Sequence, residues 1–98
     1  MFGERKINLR FTERAMSYIE RFKKTAGLRS PILSIKWAKW SNEPTERWII
    51  GFNDRSRVQE GWLGITPDLE FVVIQEWVLD ALEGKTLDVT EQGTIAIE

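Results

Sequence analysis

The sequence predicts an α+β domain, with a mostly antiparallel, mixed sheet and two helices, spanning residues 1–98 as one unit. Short runs of alternating apolar and polar residues recur along the chain and read as strands. Two stretches instead space their apolar residues three or four apart, as helices do. Most neighbouring strand runs are separated only by turn clusters, which favours hairpins and segregates helices from strands.

The first run is Ile7-Asn8-Leu9-Arg10-Phe11, which alternates with period two and reads as a half-buried strand. Thr12 is a good helix N-cap, and Glu13 places a carboxylate in the first turn, where the helix dipole favours it. Phe11 and Met16 occupy the two positions of a hydrophobic staple. Ala15, Ile19, Phe22 and Ala26 form one apolar stripe, so the helix runs to about Ala26. Lys23 and Lys24 suit its negative end, and Gly27 suits a left-handed stop.

Ser30-Pro31 breaks the chain, and Ile32 to Trp40 reads as a strand with Leu33, Ile35 and Trp37 on one face. Ser41-Asn42-Glu43-Pro44 is a turn, followed by a strand from Glu46 to Asn53 with Trp48, Ile50 and Phe52 on one face. These two strands form an expected antiparallel hairpin. Residues 54–67 are mostly polar, with Trp62, Leu63 and Ile65 as a short strand broken by Gly61 and Gly64. Leu69 to Ile74 is apolar apart from Glu70, as expected of a central strand. Gln75 to Glu83 is a short helix ended by Gly84, with Val78 above Leu82 and Trp77 above Ala81. Thr86 to Glu91, a Gln92-Gly93 turn and Thr94 to Glu98 complete the pattern as two short strands.

Composition narrows the chemistry. The sequence contains neither cysteine nor histidine, so thiol and imidazole nucleophiles, zinc sites and cysteine-ligated clusters lack their ordinary ligands. No catalytic, cofactor-binding or metal-ligating residue is assigned, no cofactor is expected, and a non-catalytic role follows. Glu76 and Asp80, one helical turn apart, could share a hard cation, but such ions require oxygens from several directions, and a solvated acidic face is expected. No apolar run approaches a membrane span, and the opening residues lack the apolar core of a signal peptide. A soluble cytoplasmic protein is expected.

The net charge of −1 argues against a nucleic-acid partner held by phosphate contacts. Its distribution is uneven: residues 1–57 carry 13 Lys/Arg against 6 Asp/Glu, and residues 58–98 carry 1 against 9. Two halves of +7 and −8 either present opposite faces or neutralise each other across the fold; the second is expected, since surface charge usually serves solubility.

Five tryptophans are unusual in so short a chain. Trp37 and Trp48 fall on the apolar faces of the hairpin and read as core. Trp40 falls on the opposite face from Trp37, beside Lys39 and near Arg47. An aromatic flanked by cations suits a partner-binding hot spot, and a strand-end residue packing on a helix fits equally. Trp40, Arg47 and Trp62 are therefore the candidate contact for a protein or small ligand.

The segment Ile7-Asn8-Leu9-Arg10-Phe11-Thr12-Glu13-Arg14-Ala15 resembles the opening of the HesB-like family, the A-type iron–sulfur carriers, with its short strand and Thr-capped helix. Phe71 to Ile74, the following helix, and Leu82-Glu83-Gly84-Lys85-Thr86-Leu87-Asp88 resemble the family's strand, short helix and signature. Gly93 and Ile95-Ala96-Ile97 resemble its last strand. The resemblance implies a HesB-like fold. In the family one cysteine follows the second strand, a place near Trp40 and Ser41 here, and a Cys-x-Cys lies near the C-terminus, about where Glu98 stands. All three ligands are missing from this sequence. The resemblance therefore implies a cysteine-free relative of the carriers that binds a protein or ligand. The alternative it implies is an accessory of iron or cluster assembly that uses ligands supplied by a partner.

Overall fold

The computed structural model describes residues 2–39 and 41–98. Among the described residues two helices and eight strands form two sheets around a main core. The α+β class and the two helices agree with the sequence expectation. The pairing is more evenly mixed than expected, with three parallel and three antiparallel strand pairs among the described residues.

Strands β1 (Phe2–Lys6) and β2 (Arg10–Phe11) precede helix α1 (Glu13–Thr25). The hairpin β3 (Pro31–Ala38) and β4 (Arg47–Asp54) follows, then a 3-10 turn at Arg55–Arg57, β5 (Gly61–Ile65) and β6 (Glu70–Val73). Helix α2 (Glu76–Leu82), β7 (Thr86–Val89) and β8 (Ile95–Ile97) complete the domain. The larger sheet runs β1-β5-β6-β3-β4, and the smaller runs β2-β7-β8.

The opening of the chain differs from the expected single strand over 7–11. Phe2–Lys6 already pairs in parallel with β5, and the Ile7 N–H donates to the Ile65 carbonyl at 2.9 Å. The chain then leaves the large sheet and joins the small one at Arg10. Ile7 and Leu9 are nonetheless buried and Asn8 exposed, so the alternation correctly reads which side chains face inward. What it misses is the strand before them. Gly3-Glu4-Arg5-Lys6 lacks an apolar pattern because it forms a sheet edge, where charged residues are common.

Thr12 caps α1 as expected, its Oγ1 accepting the Ala15 N–H at 3.1 Å. Gly27 takes the left-handed conformation just past the helix end, with φ 69°. The apolar stripe holds only for its first half: Ala15 and Ile19 are buried, while Phe22 is exposed and stacks on Tyr18 at 4.4 Å. The last turns of α1 thus extend beyond the cover of the sheets.

One face of the large sheet carries the main core. Leu33, Ile35, Phe71 and Val73 meet Ile19, Val78, Leu79, Leu82, Leu87 and Val89 there, with Trp48, Ile50, Phe52 and Trp62 packed at the margins. Phe71 fills the space over Gly64, where an added Cβ would lie 2.5 Å from its ring. Trp37 departs from its expected core position. Its ring is 40% exposed and meets Trp48 edge-on, 5.1 Å between centroids. The pair sits at the hairpin's far end, past the helices that cover the rest of that face.

Among the described residues no helix packs on the cluster at the other face of the large sheet. Ile32, Leu63 and Val72 are buried there as a second, smaller cluster, flanked by Val58 and Ile65. Their cover comes from the segment that leaves β4 at Asp54. Asp54 accepts from both the N–H and the hydroxyl of Ser56, which fixes the 3-10 turn and lets Val58 fold back onto the sheet. No helix among the described residues is long and apolar enough to cross a membrane.

Candidate functional site

Of the three residues suggested by the sequence, Arg47 and Trp62 do not share one surface. Trp62 lies on β5, facing the main core and covering Gly3, where an added Cβ would sit 2.9 Å from the indole. Arg47 opens β4, opposite Ala38, with its guanidinium 3.1 Å from the Glu43 carboxylate. Strands β6 and β3 separate the two. Trp40 lies outside the described residues. Arg47 instead lines an open groove with Tyr18, Trp48 and Ile95, where β4 passes the small sheet. That groove is too tight for an added strand between β4 and β8: several of their Cα atoms already lie within 8 Å, whereas two strand spacings require about 9.5 Å.

Several charged groups elsewhere join the two halves of the chain. Arg5 reaches both Asp80 at 2.7 Å and Glu76 at 3.6 Å, so the acidic pair on α2 clamps the helix to β1. Arg14 pairs with Asp88, and Arg55 with Glu70 at 2.7 Å. Four of the five ion pairs among the described residues join a base from residues 1–57 to an acid from residues 58–98. The opposed charge balances thus partly neutralise each other within the fold, as expected. Among the described residues no group of three or more carboxylates is placed to hold a metal ion.

One concavity lies on the face of the large sheet away from the main core. Ile32, Leu63 and Val58 line a cavity of about 250 Å³, with Glu4 and Arg55 completing its wall. Each wall residue has a local cause. Glu4 is in register with Leu63, so both side chains project from the same face. Ile32, the second residue of β3, is one residue out of step with the Leu33, Ile35 face and so points away from the main core. Val58 is delivered by the Asp54-capped turn, which also places Arg55 at the strand end.

The electrostatics of this cavity are two-sided. Arg55 donates to Glu70 through Nη2, one of the five donors of a guanidinium. Glu4 takes part in no ion pair among the described residues. The cavity therefore has an aliphatic floor, a carboxylate on one wall and a partly committed guanidinium on another.

Sequence reasoning assigned none of these five residues to a site. The available signal was the unbroken apolar run Phe71 to Ile74, which implies apolar cover on both faces of its strand. No family model matches the chain, and no curated protein matches it either.

Proposed function

We propose that this protein is a non-catalytic binding module, a cysteine-free relative of the A-type iron–sulfur carriers, and that it binds a small ligand on the open face of its large sheet. The observation that carries the binding reading is the cavity of Ile32, Val58 and Leu63 with Glu4 and Arg55. Small-molecule sites are concave and mostly apolar, with a few polar groups that orient the ligand. This cavity combines those features on a sheet face that would otherwise need a helix to cover it.

The kinship is supported by how the two resembling segments meet. Residues 7–15 and 82–89 form one unit: β2 pairs with β7, Asn8 accepts from the Gly84 N–H at 2.8 Å, and Arg10 donates to the Lys85 carbonyl at 3.0 Å. Gly84 there has φ 76°, a conformation that favours glycine within the Leu-Glu-Gly-Lys-Thr-Leu-Asp run.

The test is a screen of small neutral aliphatic and polar fragments against methyl-labelled protein, followed by NMR. Saturable shifts centred on Ile32, Val58 and Leu63 support the site. A screen in which those methyls stay fixed, or in which ligands cluster on the Arg47 groove, overturns it.

A further inference from the structure

We propose that the cavity on the open sheet face recognises a small aliphatic zwitterion, a free α-amino acid with a branched apolar side chain. This rests on the binding reading above and adds the class of ligand.

Size is the first argument. A volume of about 250 Å³ corresponds to a compact space about 8 Å across, below the range of about 300–1,000 Å³ usual for drug-sized ligands. It matches a metabolite of few heavy atoms. The second argument is the lining. Its apolar members among the described side chains are Ile32, Val58 and Leu63, all branched and aliphatic, so they offer methyl surface.

Charge decides the rest. A purely apolar ligand would leave both the exposed Glu4 carboxylate and the Arg55 donors not given to Glu70 unused. A simple cation would satisfy Glu4 but would lie in the same small cavity as the Arg55 guanidinium, which repels it. A simple anion meets the reverse problem. A molecule carrying an ammonium and a carboxylate on neighbouring atoms satisfies both walls together. Glu4 accepts from the ammonium, and the Arg55 donors not given to Glu70 engage the carboxylate. The register of Glu4 with Leu63 puts the charged end beside the aliphatic floor, as such a ligand requires.

The test titrates methyl-labelled protein with L-leucine and with its two halves, isoamylamine and 4-methylpentanoate. L-Leucine is expected to shift the Ile32, Val58 and Leu63 methyls saturably and to bind at least tenfold more tightly than either half. E4Q should weaken L-leucine at least tenfold while leaving 4-methylpentanoate unchanged or improved. R55Q should weaken L-leucine similarly while sparing isoamylamine. Both side chains lie at the surface, and each variant's amide spectrum verifies that it is folded. Equal binding of L-leucine and isoamylamine would reduce the site to a cation pocket and overturn the zwitterion. If neutral fragments fill the cavity and L-leucine does not, the ligand class fails while the site stands. If neither shifts those methyls, both fail.

Discussion

Thr12 and Asp88 stand 76 positions apart, and the Thr12 hydroxyl donates to the Asp88 carboxylate at 2.6 Å. The same hydroxyl oxygen accepts the Ala15 N–H that opens α1. A single side chain thus caps a helix and ties it to β7. Asp88 also takes the Arg14 guanidinium and the Val89 N–H, so the two ends of the chain converge on one carboxylate.

Removing that hydroxyl should cost both jobs at once. Thr12→Val keeps the shape and loses the cap, and it is expected to destabilise the protein by about 1–2 kcal/mol. Thr12→Ser retains the oxygen and should stay within a few tenths of a kcal/mol of the parent. Urea denaturation of the three proteins at neutral pH checks the order.

The Asp88 carboxylate is held well below the usual carboxylate range, chiefly by Arg14 and then by Thr12 and the Val89 N–H. Its folded pKa is depressed, so its contribution is present above the unfolded value near 3.8 and is lost as pH falls below it. Asp54 is lowered too, by the Ser56 hydroxyl and N–H, and adds in the same direction. Denaturation midpoints should therefore fall as pH drops below about 4. Asp88→Asn should be less stable at neutral pH and show a shallower decline in acid. An unchanged acid slope in that variant would remove Asp88 from the account.

Two glycines should respond very differently to alanine. At Gly64 the new methyl would lie 2.5 Å from the Phe71 ring, which is fully buried and has nowhere to move. A cost of about 3 kcal/mol is expected, at the upper end for overpacking. At Gly27 the space is open and only the left-handed φ of 69° resists a side chain, so about 1 kcal/mol is expected. Thermal melts of Gly64→Ala and Gly27→Ala compare the two.

Anaerobic incubation with iron and sulfide, then desalting, addresses the reading in which a partner supplies cluster ligands. The isolated protein is expected to remain colourless and to retain no stoichiometric iron, since its own oxygens form no cluster of three among the described residues. Visible absorbance that persists through desalting would instead favour metal handling by this chain itself.

How legible the fold was depended on whether each signal was local. Thr12, Gly27 and Gly84 are punctuation that acts within one turn, so both helices could be placed from sequence. The hairpin of β3 and β4 was equally local. The partition into two sheets was not, because it depends on the chain crossing between them at residues 7–9 and on parallel pairing of β1 with β5, nearly 60 residues away. The candidate cavity was hidden for the same reason. Glu4, Ile32, Arg55 and Leu63 come from four separate segments, and only sheet order makes them neighbours. Trp62 and Arg47 were singled out for their side chains, and sheet order keeps them apart.

The exposed tryptophan pair gives the sharpest contrast between what periodicity suggests and what packing requires. Trp37 and Trp48 face each other across the hairpin, but Trp48 also packs against the main core, whereas Trp37 is 40% exposed. Trp37→Ala should forfeit mainly the edge-on aromatic contact, at about 1 kcal/mol. Trp48→Ala removes a ring wedged between its partner and the core margin, and should cost about 3 kcal/mol, the low end for deletion of a core aromatic. Both variants, measured singly and together by urea denaturation, form a double-mutant cycle. A coupling near 1 kcal/mol is expected, as for aromatic pairs elsewhere. If the two single losses simply add, the ring contact contributes nothing beyond burial. Equal single losses would mean that Trp37 is as deeply engaged as its periodicity suggested.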